Sequence, residues 1–478
     1  MRCLVWFREE DLRVRDNTAL HHACNFANDG VIAVFIVTTS AWQAHQLADC
    51  RVDFIFRNLA VLKDELASLN IPLLVLSTLS TNDIPDLLLK ITNEHSISRL
   101  YFNEQYELDE KRRDEKVVKH LRENTIICIS CIDQILLTPE EIKTSGGGTY
   151  TIFTPFRKKW LQILKEKGGF QVLEKPKPQI PLNIIPSVIP VQLEGFQATN
   201  ASSLWPAGES VALNRLQSFV ENKLVRYHLD RDYPALDGTS QLSPYLAAGV
   251  ISVRQCLAAA QQSNKGLLDV GEQGVITWVT ELIWREFYRH ILIVFPRVSM
   301  NKPFKLQSQN ISWENNVDQF NAWKLGQTGI PIVDAAMRQL LANHWMHNRL
   351  RMVVAMFLSK NLLIDWRWGE AHFMQHLIDG DLASNNGGWQ WAASTGTDAV
   401  PYFRIFNPVT QSQRFDPEGI FIKKYCPELT ALNAKDIHAP WLATSPSIYN
   451  NQQYPMPIVD LQSSRLRAIS TFKKAMVD

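Results

Sequence analysis

The chain has 478 residues, with 49 Lys+Arg against 48 Asp+Glu, a formal net charge of +1. That length predicts two or more domains, each large enough for its own core. The balanced charge excludes a polyanionic partner attracted by a global field, and the composition excludes fibrous, low-complexity and disulfide-scaffold classes.

Through residue 131, short apolar runs alternate with amphipathic stretches. Cys3–Phe7, Val31–Val37, Leu73–Leu76, Arg99–Phe102 and Ile126–Ile129 read as buried parallel strands. Asn17–Asn28, Arg51–Leu69, Pro85–Asn93 and Asp109–Arg122 read as the helices between them. This rhythm predicts an α/β domain over 1–131 with a doubly wound parallel sheet. Phe7-Arg-Glu-Glu-Asp-Leu-Arg13 follows the first strand where a dinucleotide fingerprint would put Gly-x-Gly-x-x-Gly, so the usual Rossmann mode is not expected.

The N-terminal apolar run is too short for a signal peptide, and no segment is long and apolar enough to span a membrane. Cys128 and Cys131 sit in an apolar strand-like run, and no second pair completes a zinc site. Reduced, buried thiols and a cytoplasmic setting are expected.

Residues 132–204 break the rhythm with Ser145-Gly-Gly-Gly148 and prolines at 176, 178, 181, 186 and 190, and read as a connector wrapped on the surface. From 205 to 478 helical patterns dominate: Ser210–Lys223, Gln241–Ala247, Val253–Gln262, Gly271–Phe295, Asp318–Trp323, Pro331–Ala342, Asn348–Ser359 and Trp368–Leu377. The expected architecture is an α/β domain followed by an all-α domain.

Three stretches carry chemistry. In the first helical one, Glu281, Trp284, Arg285 and Tyr288 recur at i, i+3, i+4 and i+7 and share a face. An acid, two rings and a guanidinium suit a ligand wall; a Glu281–Arg285 ion pair on a solvated helix is the competing reading. In the second, Trp345, Asn348, Arg349 and Met352 share a face, with Arg351 beside them. His344 and His347 have no metal-ligand spacing, so no metal is expected.

The third, Asp379-Gly-Asp-Leu-Ala-Ser-Asn-Asn-Gly-Gly-Trp-Gln-Trp391, combines acids, amides, glycines and indoles within a segment read as mostly irregular through Asp398. Such a mixture suits a large, flat, polar ligand. Hydroxyls at Thr239, Ser240 and Ser243 near a helix start offer a diphosphate cradle or plain capping. Between Glu281 and Arg351 nine Lys/Arg face five Asp/Glu, a local net of +4 that suits phosphates or a solvated helical face. Ten of the fourteen tryptophans lie after residue 270. Core packing accounts for most of them and leaves room for a second role.

Together, Glu281-Leu-Ile-Trp-Arg-Glu-Phe-Tyr288, Trp345-Met-His-Asn-Arg-Leu-Arg-Met352 and Asp379–Trp391 closely resemble the DNA photolyase and cryptochrome family. The resemblance runs from Leu4-Val-Trp-Phe-Arg8 to His438-Ala-Pro-Trp441. It implies an α/β antenna domain and a helical domain that holds FAD. By that resemblance Tyr227 and Thr239, Ser240, Gln241, Leu242 and Ser243 hold the FAD phosphates. Trp278, Glu281 and Arg285 line the flavin side. Arg351 pairs with Asp379, and Asp379, Gly380 and Asp381 contact the ring or sugar. Asn385 faces flavin N5. Trp389, Trp366 and Trp313 match an electron-hopping chain, with Trp389 nearest the flavin and Trp313 nearest solvent.

The resemblance also implies repair of cyclobutane pyrimidine dimers by an electron from light-excited reduced FAD. Asn348 and Met352 stand where enzymes of the (6-4) type place histidines, and Asn385 is the photolyase choice opposite N5. The chain stops soon after its last helical pattern, without a long signalling tail. A cryptochrome-type light receptor is the alternative. The flipped dimer packs against Trp284 and Trp391 and bonds to Glu281 and Asn348, with Tyr288 and Met352 alongside. Arg231, Arg349, Arg404 and Gln411 meet the DNA backbone or nearby strand of UV-damaged DNA. A monomer is expected. His45 and Glu110 match positions that hold methenyltetrahydrofolate as antenna. Asp109 replaces the family's usual Asn and Met300 a frequent Lys, which keeps a deazaflavin or no antenna in play.

Overall fold

The computed structural model describes residues 1–443 and 454–477. Two compact units divide the chain: Met1–Val225, Ser240–Pro296 and Ile378–Gly380 form the first, and Arg226–Thr239, Arg297–Leu377 and Asp381–Asp478 the second.

The first unit begins β1 (Arg2–Phe7), α1 (Thr18–Phe26), β2 (Val31–Val37), α2 (Thr39–Ala44), α3 (Asp49–Ala67), β3 (Leu73–Ser77), α4 (Ile84–Glu94), β4 (Ile97–Asn103), α5 (Leu108–Glu123) and β5 (Ile127–Cys131). The strands form one sheet in the order β3-β2-β1-β4-β5, every pair parallel. The doubly wound sheet expected from the apolar runs is therefore present. All seven residues of β2 are buried, as a central parallel strand covered on both faces requires. Trp6 of β1 pairs with Val34 on one side and Phe102 on the other, and with Leu4, Leu100 and Leu121 it centres one core.

Within 132–204 lies a helix that the sequence did not announce, α6 (Phe153–Glu166), burying Phe153, Phe156, Trp160 and Leu164. The proline-rich run beyond it is tied to the sheet edge. Gln179 donates its backbone N–H to Leu69, Ser187 donates to Leu73, and the Ser187 hydroxyl accepts from the Val75 N–H. Next come α7 (Ala201–Leu204) and α8 (Glu209–Asn222). A four-residue turn, α9 (Tyr227–Asp230), belongs to the second unit; α10 (Ser243–Ala247), α11 (Val253–Ser263) and α12 (Gln273–Val294) return to the first.

The rest of the second unit is helical: α13 (Val317–Lys324), α14 (Pro331–Asn343), α15 (Asn348–Met356), α16 (Trp366–Met374), α17 (Leu382–Ala392), α18 (Pro408–Phe415), α19 (Ile420–Tyr425) and α20 (Leu461–Val477). A π-helical turn, Phe357–Asn361, extends α15. Its core gathers Trp323, Trp366, Trp389, Met337, Val354 and Phe373. One expectation needs correction: residues 382–392 are a helix, not an irregular loop. The Asp381 carboxylate caps it by accepting from the Ser384 N–H at 2.8 Å. Burial of Asn385, Asn386, Trp389 and Gln390 outweighs the helix-weakening Gly387-Gly388 pair.

All seven cysteines are buried free thiols. Among the described residues no helix is long and apolar enough to cross a membrane, and no group of three or more His, Cys, Asp or Glu is placed to hold a metal.

Candidate functional site

In the first unit, α12 presents the expected face. Glu281, Trp284, Arg285 and Tyr288 are all partly exposed, whereas Trp278, one turn earlier, is buried against Phe219 at 5.0 Å. Trp284 lies flat on Phe153 of α6, with centroids 3.6 Å apart and planes 8° apart. This stack and Tyr288 at 5.6 Å hold the indole firmly. Arg285 donates Nη1 to the Gln134 carbonyl at 2.9 Å, which fixes its stem. Glu286, facing the other way, is buried and accepts from the Trp160 indole and the N–H groups of Leu136 and Leu137. Burial raises its pKa despite those bonds.

Ser240, Gln241 and Leu242 run into α10, a helix of five residues. Gln241 has φ +50° and accepts from Arg215 at 3.1 Å. Asp379 is buried and belongs to this unit. His45, Asp109 and Glu110 are brought together: the His45 ring nitrogens lie 3.4 Å from Asp109 and 3.5 Å from Glu110. Burial raises the Glu110 pKa, against the pull of His45. Its second oxygen, Oε2, is buried without a hydrogen-bond partner.

In the second unit, α15 starts at Asn348, which is exposed, with Met352 one turn on and partly exposed. Arg349 is held by Asp232 at 2.8 Å and lies 4.6 Å over the Phe415 ring. Arg231 shares Asp232 at 3.9 Å and lies 5.3 Å over the Tyr227 ring. Arg351 donates Nε to the Met346 carbonyl at 2.8 Å. His347 caps this helix, and burial lowers its pKa to about 4, so it is a neutral cap. Arg404 is exposed, and Gln411 buries its Oε1 without a partner.

Helix α17 carries four of the expected site residues or their neighbours, Asn385, Asn386, Trp389 and Trp391. Asn385 donates Nδ2 to the Glu370 carbonyl at 3.0 Å. A carbonyl only accepts, so the amide orientation is fixed, with Oδ1 directed away. The next residue, Asn386, donates to the Glu370 carboxyl at 2.9 Å and accepts from Gln390 at 2.8 Å. This Glu370–Asn386–Gln390 network was not foreseen from sequence. Its only local trace is the i, i+4 spacing of Asn386 and Gln390 on a stretch read as a loop. Burial pushes the Glu370 pKa up to about 7.

Trp389 is one turn beyond Asn385 and 2 % exposed, whereas Trp391, about 200° around the helix, is partly exposed. Trp389 fits so tightly against Gly369 that a Cβ there would lie 2.1 Å from its ring. Trp366 is buried in the same core, and Trp313 is partly exposed and edge-on to Phe472 at 5.7 Å.

Two family models match the chain: the DNA photolyase model over residues 3–181 and the FAD binding domain of DNA photolyase over residues 278–474. The deoxyribodipyrimidine photo-lyase of Salmonella typhimurium is 44% identical, with 99% of this chain and 98% of that protein covered. The chain belongs to the DNA photolyase family. Among solved structures, a class III photolyase from Agrobacterium tumefaciens aligns with a TM-score of 0.90 and 34% identity, covering 100% of this chain and 98% of that one. A Synechocystis cryptochrome aligns with a TM-score of 0.86 and 29% identity, covering 98% and 99%. The region that carries α12 through α17 is thus the photolyase FAD-binding domain.

Proposed function

We propose that this photolyase-family protein is a deoxyribodipyrimidine photo-lyase, which binds FAD and splits cyclobutane pyrimidine dimers in DNA under light. The observation that carries the reading is the Asn385 amide. With Nδ2 anchored on the Glu370 carbonyl, Oδ1 is left to accept a hydrogen bond, as the N5–H of a reduced flavin requires. FAD, when bound, supplies the light-driven electron that opens the dimer.

The chain's own residues do the rest. Tyr227, Thr239, Ser240, Gln241, Leu242 and Ser243 take the FAD phosphates. Trp278, Arg285, Arg351, Asp379, Gly380 and Asp381 hold its ring and sugar. Trp284, rigid on Phe153, and Trp391 pack against the two flipped pyrimidines. Glu281 and Asn348 bond their polar edges, with Tyr288 and Met352 closing the sides. Arg231, Arg349, Arg404 and Gln411 meet the DNA strand. Trp389, Trp366 and Trp313 return electrons to oxidised FAD. His45, Asp109 and Glu110 hold a folate antenna. The unpartnered Glu110 Oε2 suits a pterin N–H, and a deazaflavin is the alternative ligand.

A cryptochrome-type receptor is the second reading, favoured by the likeness to the Synechocystis protein. Binding in the dark separates the two. Fluorescence anisotropy with a duplex carrying one thymine dimer should show at least tenfold tighter binding than with the undamaged duplex. Equal affinities would count against repair and for the receptor.

A further inference from the structure

Helix α6 is fastened along α12 within one compact unit. Phe156 meets Phe287 at 5.1 Å and His290 at 5.0 Å between centroids. Arg157 donates Nε to the Thr280 hydroxyl at 3.0 Å, and Trp160 donates its indole N–H to Glu286 at 2.7 Å. These contacts bring Phe153, the first residue of α6, onto Trp284, with centroids 3.6 Å apart and planes 8° apart. Phe287 wedges edge-on against both rings, 5.7 Å from Phe153 at 75° and 5.6 Å from Trp284 at 82°, which keeps the pair from sliding. The glycine run before α6 is exposed, and a Cβ at Gly146 or Gly147 would meet nothing within 4 Å. It is therefore α12, and not the chain leading in, that holds Phe153.

Phe153 is 6 % exposed, whereas Trp284 is partly exposed. One face of the indole is taken by the phenyl ring, so its exposed surface lies on the opposite face and the rim.

We propose that Phe153 is a positioning residue for dimer recognition. Stacked on Trp284, it fixes the indole plane against which a flipped pyrimidine packs, and so sets how strongly damaged DNA is preferred over undamaged DNA. The proposal rests on the reading of Trp284 as a dimer contact.

An indole free to turn would have to be ordered on binding, at a cost in affinity. Here it is ordered when the protein folds. An aliphatic side chain of similar volume would fill the space under Trp284 but offer no flat face, so the indole would stay covered and lose its fixed plane. Contacts to phosphates carry no information about the base, so an undamaged duplex held through them gains nothing from that plane. The effect should therefore fall on the damaged duplex alone. Ordering of the indole together with part of the lost stacking makes the expected loss roughly three- to tenfold.

The test is a double-mutant cycle on FAD-loaded protein, read by fluorescence anisotropy in the dark. The duplexes are one carrying a single thymine dimer and its undamaged counterpart. The variants are Phe153→Leu, Phe153→Met, Phe153→Tyr, Trp284→Ala and the doubles of Leu or Met with Trp284→Ala. Melting temperature and FAD content show which are folded, and either Leu or Met suffices. Phe153→Leu or Phe153→Met should lose that much affinity for the dimer duplex, with affinity for the undamaged duplex unchanged. Phe153→Tyr, which keeps the ring, should bind as the wild type does. In the Trp284→Ala background the Phe153 change should cost nothing further, because Phe153 acts through that indole. Unchanged dimer affinity without the ring, an equal loss on both duplexes, a loss in Phe153→Tyr as large as in Phe153→Leu, or simple additivity with Trp284→Ala would each overturn the proposal. Full dimer affinity in Trp284→Ala alone would instead overturn the reading of Trp284 on which it rests.

Discussion

Asn385 and Glu370 are joined by a bond from a side-chain amide to a main-chain carbonyl, 3.0 Å long, while the Glu370 carboxyl is held by the neighbouring Asn386. One residue of α16 thus aims the proposed N5 partner with its backbone and steadies α17 with its side chain. Burial raises the Glu370 carboxyl from the usual carboxylate range to about 7. Its neutral form is the one the fold favours. Stability from this group is therefore complete below the unfolded pKa and is lost as pH rises through 7.

Glu370→Gln should remove that dependence. The amide oxygen still accepts from Asn386, and there is no charge to bury. Urea unfolding at pH 5 and pH 8 should show the wild type losing on the order of 3 kcal/mol more than the variant between the two. Parallel losses would mean that Glu370 is charged in the native protein.

Gly369→Ala should damage the place of Trp389. The added methyl would meet its ring at 2.1 Å in a packed core where neither helix yields easily. A cost of about 1–3 kcal/mol is expected from overpacking. Thermal melting should show it, accompanied by slower photoreduction of bound FAD.

Trp389 and Trp391 occupy nearly opposite sides of α17, and their replacements should separate accordingly. Trp389→Phe should slow photoreduction and spare dimer binding. Trp391→Ala should spare photoreduction and weaken dimer binding by about 1–3 kcal/mol, the worth of a stacked base. Equal effects of both variants on both assays would refute the division.

Arg404 is exposed, whereas Arg349 is braced by Asp232 and Phe415. Arg404→Ala should lower the slope of log affinity against log salt by about 1, the signature of one lost phosphate contact. Titrations at several salt concentrations measure it. Arg349→Ala should cost more affinity, because a preorganised guanidinium is lost and Asp232 is left exposed to the DNA backbone.

The sheet was legible because buried parallel strands write themselves as continuous apolar runs, and Val31–Val37 is the clearest case. The shared face of Glu281, Trp284, Arg285 and Tyr288 was legible from helical spacing. Leu382–Ala392 was not, since its two glycines and two asparagines argue locally for a loop. Its helical form comes from the Asp381 cap and from burial that includes contacts of Asn385 and Asn386 with Glu370, fifteen and sixteen residues away. Helix α6 was hidden because a glycine run and prolines on both sides read as connector. The role of Phe153 against Trp284 depends on a contact across more than a hundred residues, which no periodicity encodes. Trp323 was counted among the tryptophans, but its place beside Trp389 is likewise a matter of packing alone.

The most direct test of repair is illumination. Protein loaded with reduced FAD is mixed with a duplex carrying one thymine dimer, and the remaining dimer is measured after matched periods of blue light and darkness. Loss of the dimer in the light only, over many turnovers, with two intact thymines recovered per dimer, is the expected result. Dimers that persist under blue light, with FAD bound and reduced, would contradict the assignment.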